Sequence, residues 1–216
     1  MAERVPVGVL ASGSGTNLQA LLDACNAPGF PARVAVVLTN RGRAGALDRA
    51  RQAGVPTEVV LRRDHPDRAA WDAEAVRRLQ AHGVQWVCLA GFMRLITPTF
   101  LDAFPNRVLN IHPSLLPAFP GLDAQGQAFA ARVRITGCTV HVVDAGTDTG
   151  PIVIQGAVPV RPTDDPDALK ARILKVEHQI YPRALRWAAD GHLTMADGAV
   201  HVSDQAIESA TWVWHA

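Results

Sequence analysis

Short apolar runs alternate with amphipathic stretches through the first half of the chain. Residues 5–11 form an unbroken apolar run that opens into glycines, the pattern of a strand buried on both faces. Residues 16–25 follow with Leu18, Leu21 and Leu22 at helical spacing. The pair of patterns then recurs. Strands are predicted at 34–38, 57–61, 86–90 and 107–111. Helices are predicted at 44–53, which stops at Gly54, and at 67–82, which stops at Gly83; a short one begins at Thr97 with Pro98 in its first turn. Such alternation implies a parallel sheet with right-handed crossovers.

The second half changes character. A helix is predicted over 121–131. Residues 138–143 alternate polar and apolar positions, 151–160 is a second extended stretch, and the two are expected to pair antiparallel across the loop 144–150. A long amphipathic helix is predicted over 165–190, with Leu169, Ile173, Val176 and Ile180 inward, and short β-like pieces follow at 193–195 and 199–202. The fold expected is α/β: three layers around a Rossmann-like, mostly parallel central sheet, with an antiparallel C-terminal extension. A single domain over 1–216 is expected, with an N-terminal half of 1–105 and a C-terminal half of 106–216.

Composition narrows the function. With a net charge of +1 the chain has no excess of charge for nucleic acid or an anionic membrane surface. Cys25, Cys88 and Cys138 are scattered in apolar surroundings without a CxxC pair, as expected of reduced core residues rather than a zinc or redox site. The N-terminus runs straight into the first strand with no signal-type apolar block, and no apolar stretch approaches the roughly 20 residues that span a bilayer. A cytoplasmic protein acting on small molecules, with no nucleic acid and no membrane partner, is the expectation.

Two places carry candidate chemistry. Ser12-Gly13-Ser14-Gly15-Thr16-Asn17 joins the first strand to the first helix, where backbone N–H groups can converge on an anion. The plainer reading is a tight turn with a serine or threonine cap. No lysine follows the glycines, so this is not a triphosphate P-loop. The dinucleotide fingerprint fails too, because Leu18 stands at its third glycine and Thr39-Asn40-Arg41 lacks the ribose-binding acid. A single phosphate, on a ribose for instance, fits better than NAD.

The other place is Asn110-Ile111-His112-Pro113-Ser114-Leu115-Leu116-Pro117. Alternation sets Asn110 and His112 on one side of a strand end, and proline stops the ladder. Asp148, in the glycine-bent loop 144–151, can approach His112 if the strand at 138 lies alongside. A carboxylate beside an imidazole favours the charged ring, which can stabilise an oxyanion or deliver a proton, and the Asn110 amide can donate to the same oxygen. Ser114 lacks a GxSxG elbow and reads as a turn residue. His112, His141 and Asp148 match no metal-ligand spacing, and no metal is expected. His141 either faces the site or is a satisfied core histidine. Glu177 reads as part of a solvated helix face or as a group reaching a substrate hydroxyl. The five tryptophans, Trp71, Trp86, Trp187, Trp212 and Trp214, read as packing residues.

Taken in order, these blocks resemble the folate-dependent phosphoribosylglycinamide formyltransferases of purine synthesis. The resemblance rests on Leu10-Ala11-Ser12-Gly13-Ser14-Gly15-Thr16-Asn17-Leu18-Gln19, Leu89-Ala90-Gly91-Phe92-Met93-Arg94, and Leu109-Asn110-Ile111-His112-Pro113-Ser114-Leu115-Leu116-Pro117 with Phe119-Pro120-Gly121. It continues in Gly137-Cys138-Thr139-Val140-His141, Asp148-Thr149-Gly150-Pro151, and Glu177-His178 with Tyr181-Pro182. It runs from about residue 5 to about residue 195.

The resemblance implies the formyltransferase fold and transfer of a formyl group from 10-formyltetrahydrofolate to the amine of glycinamide ribonucleotide. It implies Asn110, His112 and Asp148 as the catalytic trio; His141, if its place in the alternation turns it to the site, would support them. It implies Gly13, Ser14, Gly15, Thr16 and Asn17 around the substrate phosphate and Glu177 on the ribose. Arg68, Met93, Arg94, Leu95 and Ile96, with the backbone of Val143, Asp144 and Thr147, fall where the folate binds. The enzyme is expected as a monomer or homodimer. One departure concerns the long helix, where some members carry a phosphate-holding lysine: here Leu174 stands, with Lys175 adjacent.

Two families share that fold and trio. Methionyl-tRNA formyltransferases are expected to carry a basic C-terminal domain, and from the length and near-neutral charge of this sequence none is expected here. Formyltetrahydrofolate hydrolases are expected to carry a regulatory N-terminal domain and a second histidine where Pro113 stands. A non-catalytic nucleotide- or folate-binding module is the reading from another class, and the intact trio speaks against it. The tail beyond 196 has no counterpart in the resemblance.

Overall fold

The first apolar run becomes the centre of a parallel sheet. In the computed structural model, which describes residues 3–208, β1 (Val5–Ala11) buries Val7, Val9, Leu10 and Ala11 completely. It pairs in parallel with β2 (Ala32–Thr39) on one side and β4 (Trp86–Leu89) on the other. Beyond β2 lies β3 (Thr57–Val59), and beyond β4 lies β5 (Val108–His112), both parallel to their neighbours. β2 starts two residues earlier than its apolar run, because the ladder already pairs Val5 with Ala32 across the exposed Arg33.

The crossovers are α1 (Thr16–Asn26), α2 (Gly45–Gln52), α3 (Arg68–Ala81) and α4 (Pro98–Ala103), with a 3₁₀ turn at Arg62–Asp64. The Asp67 carboxylate accepts the Ala70 N–H at 2.8 Å and caps α3. The chain moves from β1 outward to β3, then returns to the other side of β1. The strand order therefore reverses between β1 and β4, the place where open α/β sheets form a crevice beyond the carboxyl ends of their strands.

Two compact units divide the chain, one ending at Asn110 and the other beginning at Ile111. In the second, β6 (Ile135–Val142) and β7 (Ile152–Pro159) form the expected antiparallel pair, with a register shift at Val140/His141. α5 (Ala124–Ala130) precedes β6, and α6 (Pro166–Ala189) follows β7. α6 is capped by Asp165, whose carboxylate accepts the Ala168 N–H at 2.7 Å, and it buries Leu169, Ile173, Val176 and Ile180 as the spacing predicts. The hairpin β8 (Leu193–Ala196) and β9 (Ala199–Val202) forms a separate two-stranded sheet, followed by α7 (Asp204–Glu208), which the sequence pattern did not predict.

The main sheet has seven strands in the order β3-β2-β1-β4-β5-β6-β7. The three-layer, mostly parallel α/β class with an antiparallel extension is thus the observed one. α5 begins at Ala124 rather than Gly121, because the residues before it make a loop with positive φ at Phe119, Gly121 and Asp123. Among the described residues no helix is long and apolar enough to cross a membrane, and no group of three His, Cys, Asp or Glu could hold a metal ion. All three cysteines are buried and none is in a disulfide, and Trp71 and Trp187 are buried; Trp212 and Trp214 lie outside the described residues.

Candidate active site

β5 carries Asn110 half-buried and His112 almost fully buried, two positions apart and so on one side of the strand. Both nitrogens of the His112 ring face acceptors. Nε2 lies 2.9 Å from the Phe119 carbonyl oxygen, and Nδ1 lies 3.3 Å from Asp148 Oδ2. An imidazole can donate from both nitrogens only as the imidazolium, so this setting suits a positive ring.

Asp148 holds a left-handed backbone, φ 55°, in the loop after β6. Its Oδ2 also accepts the Gly121 N–H at 2.8 Å, and its Oδ1 is 3.7 Å from His141 Nε2. Burial pushes the Asp148 carboxyl up, but the bonds from His141 and Gly121 and the charge of His112 outweigh it and hold the group below the usual carboxylate range. His141 is both a buried, partnered histidine, with Nδ1 3.2 Å from the Val142 carbonyl oxygen, and a neighbour of the acid. The two readings left open by the sequence are therefore not exclusive: a satisfied, buried histidine also lies beside Asp148.

The backbone around this pair is fixed from beneath. The Thr139 hydroxyl donates to the Ser114 carbonyl at 2.7 Å, accepts the Leu116 N–H at 3.0 Å, and is met by the Gln155 amide at 3.0 Å. The Ser114 hydroxyl donates to the Ala118 carbonyl, so it is a turn residue, as read, and not a nucleophile. The Asp148 loop returns so close to β6 that a Cβ on Gly150 would collide with the Val142 carbonyl oxygen, which leaves room for glycine alone. Asp144 braces the same loop by accepting from the Gly146 N–H and the Thr149 hydroxyl, while Val143 is half-buried and Thr147 is exposed.

In the other unit, the glycine loop is built differently from the plain turn. Gly15 occupies the N-cap of α1 with φ 75°, and no side chain caps the helix, so the serine or threonine cap is not there. The loop leans on α2 instead. The Ala46 N–H donates to the Gly13 carbonyl at 3.1 Å, and Arg49 donates through Nε to the Ser14 carbonyl at 2.8 Å. A Cβ on Gly15 would come within 2.8 Å of Ala46 Cα. Gly13 and Ser14 are exposed, Thr16 is half-buried and Asn17 is buried.

The segment after β4 presents Met93 and Leu95 with more than half of their surface exposed, and Ile96 half-buried. Beneath it the Arg94 guanidinium stacks 4.3 Å over the Trp71 ring, Trp71 stacks on Phe92, and Arg94 Nη1 is buried without a hydrogen-bond partner. The buried Asp72 carboxylate accepts both the N–H and the hydroxyl of Thr97 at 2.7 Å. Burial raises the Asp72 pKa against those bonds and the charges of Arg94 and Arg68; Arg68 itself is exposed at the start of α3.

Glu177 corrects one reading. It is 6% exposed, so it belongs to no solvated face: on α6 it turns inward, and its charge is felt by the Cys138 thiol. Leu174 is half-buried there and Lys175 exposed. The structural roles of Ser12, Arg49 and Gly121 escaped the sequence reading. Ser12 alone left a visible signal, as the first polar residue after an apolar run.

A formyl transferase family model matches residues 6–185. The chain is 40% identical to the phosphoribosylglycinamide formyltransferase of Escherichia coli over 92% of its own length and 94% of that protein's. It is 48% identical to the trifunctional purine biosynthetic protein adenosine-3 of Drosophila melanogaster, but spans only 14% of that longer chain. Among solved structures, glycinamide ribonucleotide transformylase 1 of Symbiobacterium toebii superposes with a TM-score of 0.92 at 53% identity, over 94% of this chain and 96% of that one. On a match of this extent to relatives of its own length, the chain belongs to the phosphoribosylglycinamide formyltransferases of the formyl transferase family.

Proposed function

We propose that this protein transfers the formyl group of 10-formyltetrahydrofolate to the amine of glycinamide ribonucleotide. The observation that carries the reading is the His112–Asp148 pair at 3.3 Å, with the Asn110 amide two residues earlier on the same strand, in a chain with full-length formyltransferase relatives.

The amine attacks the formyl carbon directly and the carbonyl π electrons move onto oxygen. The Asn110 amide donates to that oxyanion, and the positive His112 ring, held by Asp148 and the Phe119 carbonyl, stabilises it by charge. The ammonium formed on the attacking nitrogen loses its proton through water to Asp148. Collapse of the intermediate breaks the bond to the folate nitrogen, which takes that proton back from Asp148 through water, so the carboxylate is regenerated. Tetrahydrofolate and the formylated amide result, and no covalent enzyme intermediate forms.

In this reading Gly13, Ser14, Gly15, Thr16 and Asn17 bind the acceptor phosphate and Glu177 its ribose. The exposed Gly13 and Ser14, and a helix start without a side-chain cap, support that assignment. Arg68, Met93, Arg94, Leu95 and Ile96, with the backbone of Val143, Asp144 and Thr147, bind the folate. His141 supports Asp148. The enzyme works on small molecules, needs no metal, and acts as a monomer or homodimer in the cytoplasm, where its three buried thiols stay reduced.

Formyl-labelled 10-formyltetrahydrofolate incubated with glycinamide ribonucleotide tests the reading. Label appearing on the ribonucleotide supports it; label retained on folate, or released as formate, overturns it.

A further inference from the structure

Ser12 follows β1 at the point where the strand order reverses, between β1 and its parallel neighbour β4. The loop after β1 and the loop after β4 diverge from there. One buried side chain ties them together. The Ser12 hydroxyl accepts the Met93 N–H at 3.0 Å and donates to Asn40 Oδ1 at 2.8 Å, while Ser12 itself is only 2% exposed. A hydroxyl has one proton to give and lone pairs to receive, so this one is satisfied on both counts and holds three segments with one oxygen.

The two loops are not equally dependent on it. The glycine loop has ties of its own, the Ala46 N–H to Gly13 and Arg49 to Ser14, whereas the Ser12 N–H to the Gly91 carbonyl at 3.2 Å joins the backbones of both loops and leaves the Met93 amide to the hydroxyl. The other loop is anchored at its far end through Thr97 and Asp72 and at its middle by Arg94 on Trp71. At its near end, beside the exposed Met93, the hydrogen bond is to Ser12.

We infer that Ser12 is a positioning residue: its hydroxyl fixes the Met93 amide and so sets the loop 92–97 against the glycine loop across the crevice. The inference rests on the reading that these loops take the formyl donor and the acceptor phosphate. It assigns Ser12 to the donor side of the reaction although its place in the sequence is on the acceptor side.

The asymmetry gives the test. In Ser12→Ala the KM for 10-formyltetrahydrofolate rises about fivefold to tenfold, the effect of about one hydrogen bond. The KM for glycinamide ribonucleotide and kcat stay within twofold. Hydrogen exchange at the Met93 amide accelerates in the unliganded protein, while the β4 amides of Val87 and Leu89 keep their protection. Asn40→Ala, which removes only the acceptor of the Ser12 proton, keeps the native donor KM.

An unchanged donor KM in Ser12→Ala overturns the inference. So does an equal rise in both KM values with exchange accelerated along β1 and β4, which marks a general structural role. A donor KM in Asn40→Ala that matches Ser12→Ala would overturn it as well, by moving the effect away from Met93. If the native protein transfers formyl and Ser12→Ala is native-like, only the Ser12 assignment fails; if the native protein does not transfer formyl, the reaction itself is wrong.

Discussion

Replacing Asp148 by asparagine removes a charge and leaves the shape almost unchanged. The carboxamide oxygen of the new side chain can still accept the Gly121 N–H, so the loop keeps its anchor. What goes is the attraction between the carboxylate and the His112 ring at 3.3 Å, together with the interaction with His141 at 3.7 Å. Two unit charges at the shorter distance attract by about 5 kcal/mol at an effective dielectric of about 20. In the proposed mechanism most of that bears on the transition state, where the ring would stay charged beside a developing oxyanion and the acid would receive the amine proton. A loss of about 4 kcal/mol corresponds to roughly a thousandfold in kcat, inside the usual range for a general acid or base. Single-turnover transfer of labelled formyl, with far-UV circular dichroism as a check on folding, measures it. A folded Asp148→Asn variant whose rate lies within tenfold of native would refute the electrostatic account of the pair.

Further predictions concern the same site and its supports. Because the Asp148 carboxyl is held below its ordinary value in the folded protein, it stabilises the fold above about pH 4 and loses that contribution as pH falls through its lowered pKa; the acid limb of an unfolding curve should be shallower in Asp148→Asn than in the native protein. Asp164, bonded through both carboxylate oxygens to Arg172 at 2.6 Å and held down at about 2, behaves likewise, and Asp164→Asn should flatten the limb toward that pH. Gly15→Ala sets a side chain against Ala46 at positive φ; a cost of about 1–2 kcal/mol from the backbone alone, read from the urea midpoint, should accompany a raised KM for the ribonucleotide, and an unchanged midpoint would contradict the close approach. Thr139→Val strands the Ser114 carbonyl and the Leu116 N–H, at about 1–3 kcal/mol for each buried group left unpaired, and differential scanning calorimetry should show a fall in Tm of several degrees. Burial pushes the Cys25 thiol up to about 12 and the Cys138 thiol higher still, so an aromatic disulfide reagent should find neither until the protein unfolds.

The strands and long helices were legible because their cores follow simple periods. Leu169, Ile173, Val176 and Ile180 on α6 and the unbroken run of β1 are buried as their spacing predicts. Errors fall where tertiary contacts outweigh local pattern. Arg33 breaks the apolar run, yet β2 pairs through it, because the ladder with β1 sets the strand's start. Gly121 joins the loop rather than α5, because its N–H is spent on Asp148.

At the site, alternation alone placed Asn110 and His112 together, and the loop geometry required for Asp148 could be foreseen from its glycines. The second acceptor of His112 could not. It is a backbone oxygen, that of Phe119, and backbone atoms carry no residue code. Of the two readings of Glu177 only the solvated face falls, because a lone acid on an amphipathic helix looks solvated unless its buried neighbours are known. Arg49 was invisible for a similar reason: its target is the Ser14 carbonyl, and only the packing of α2 against the loop reveals it.

The amide and the ring of β5 are separated by covalent rise alone, about 7 Å for two residues of strand, so warming the molecule cannot pull them apart without undoing the ladder. The acid has no such guarantee: it arrives on a bend braced by Asp144, Thr149 and the narrow passage at Gly150. Heat-sensitive variants that stay folded but lose turnover should therefore accumulate between residues 144 and 151, and seldom in the strand.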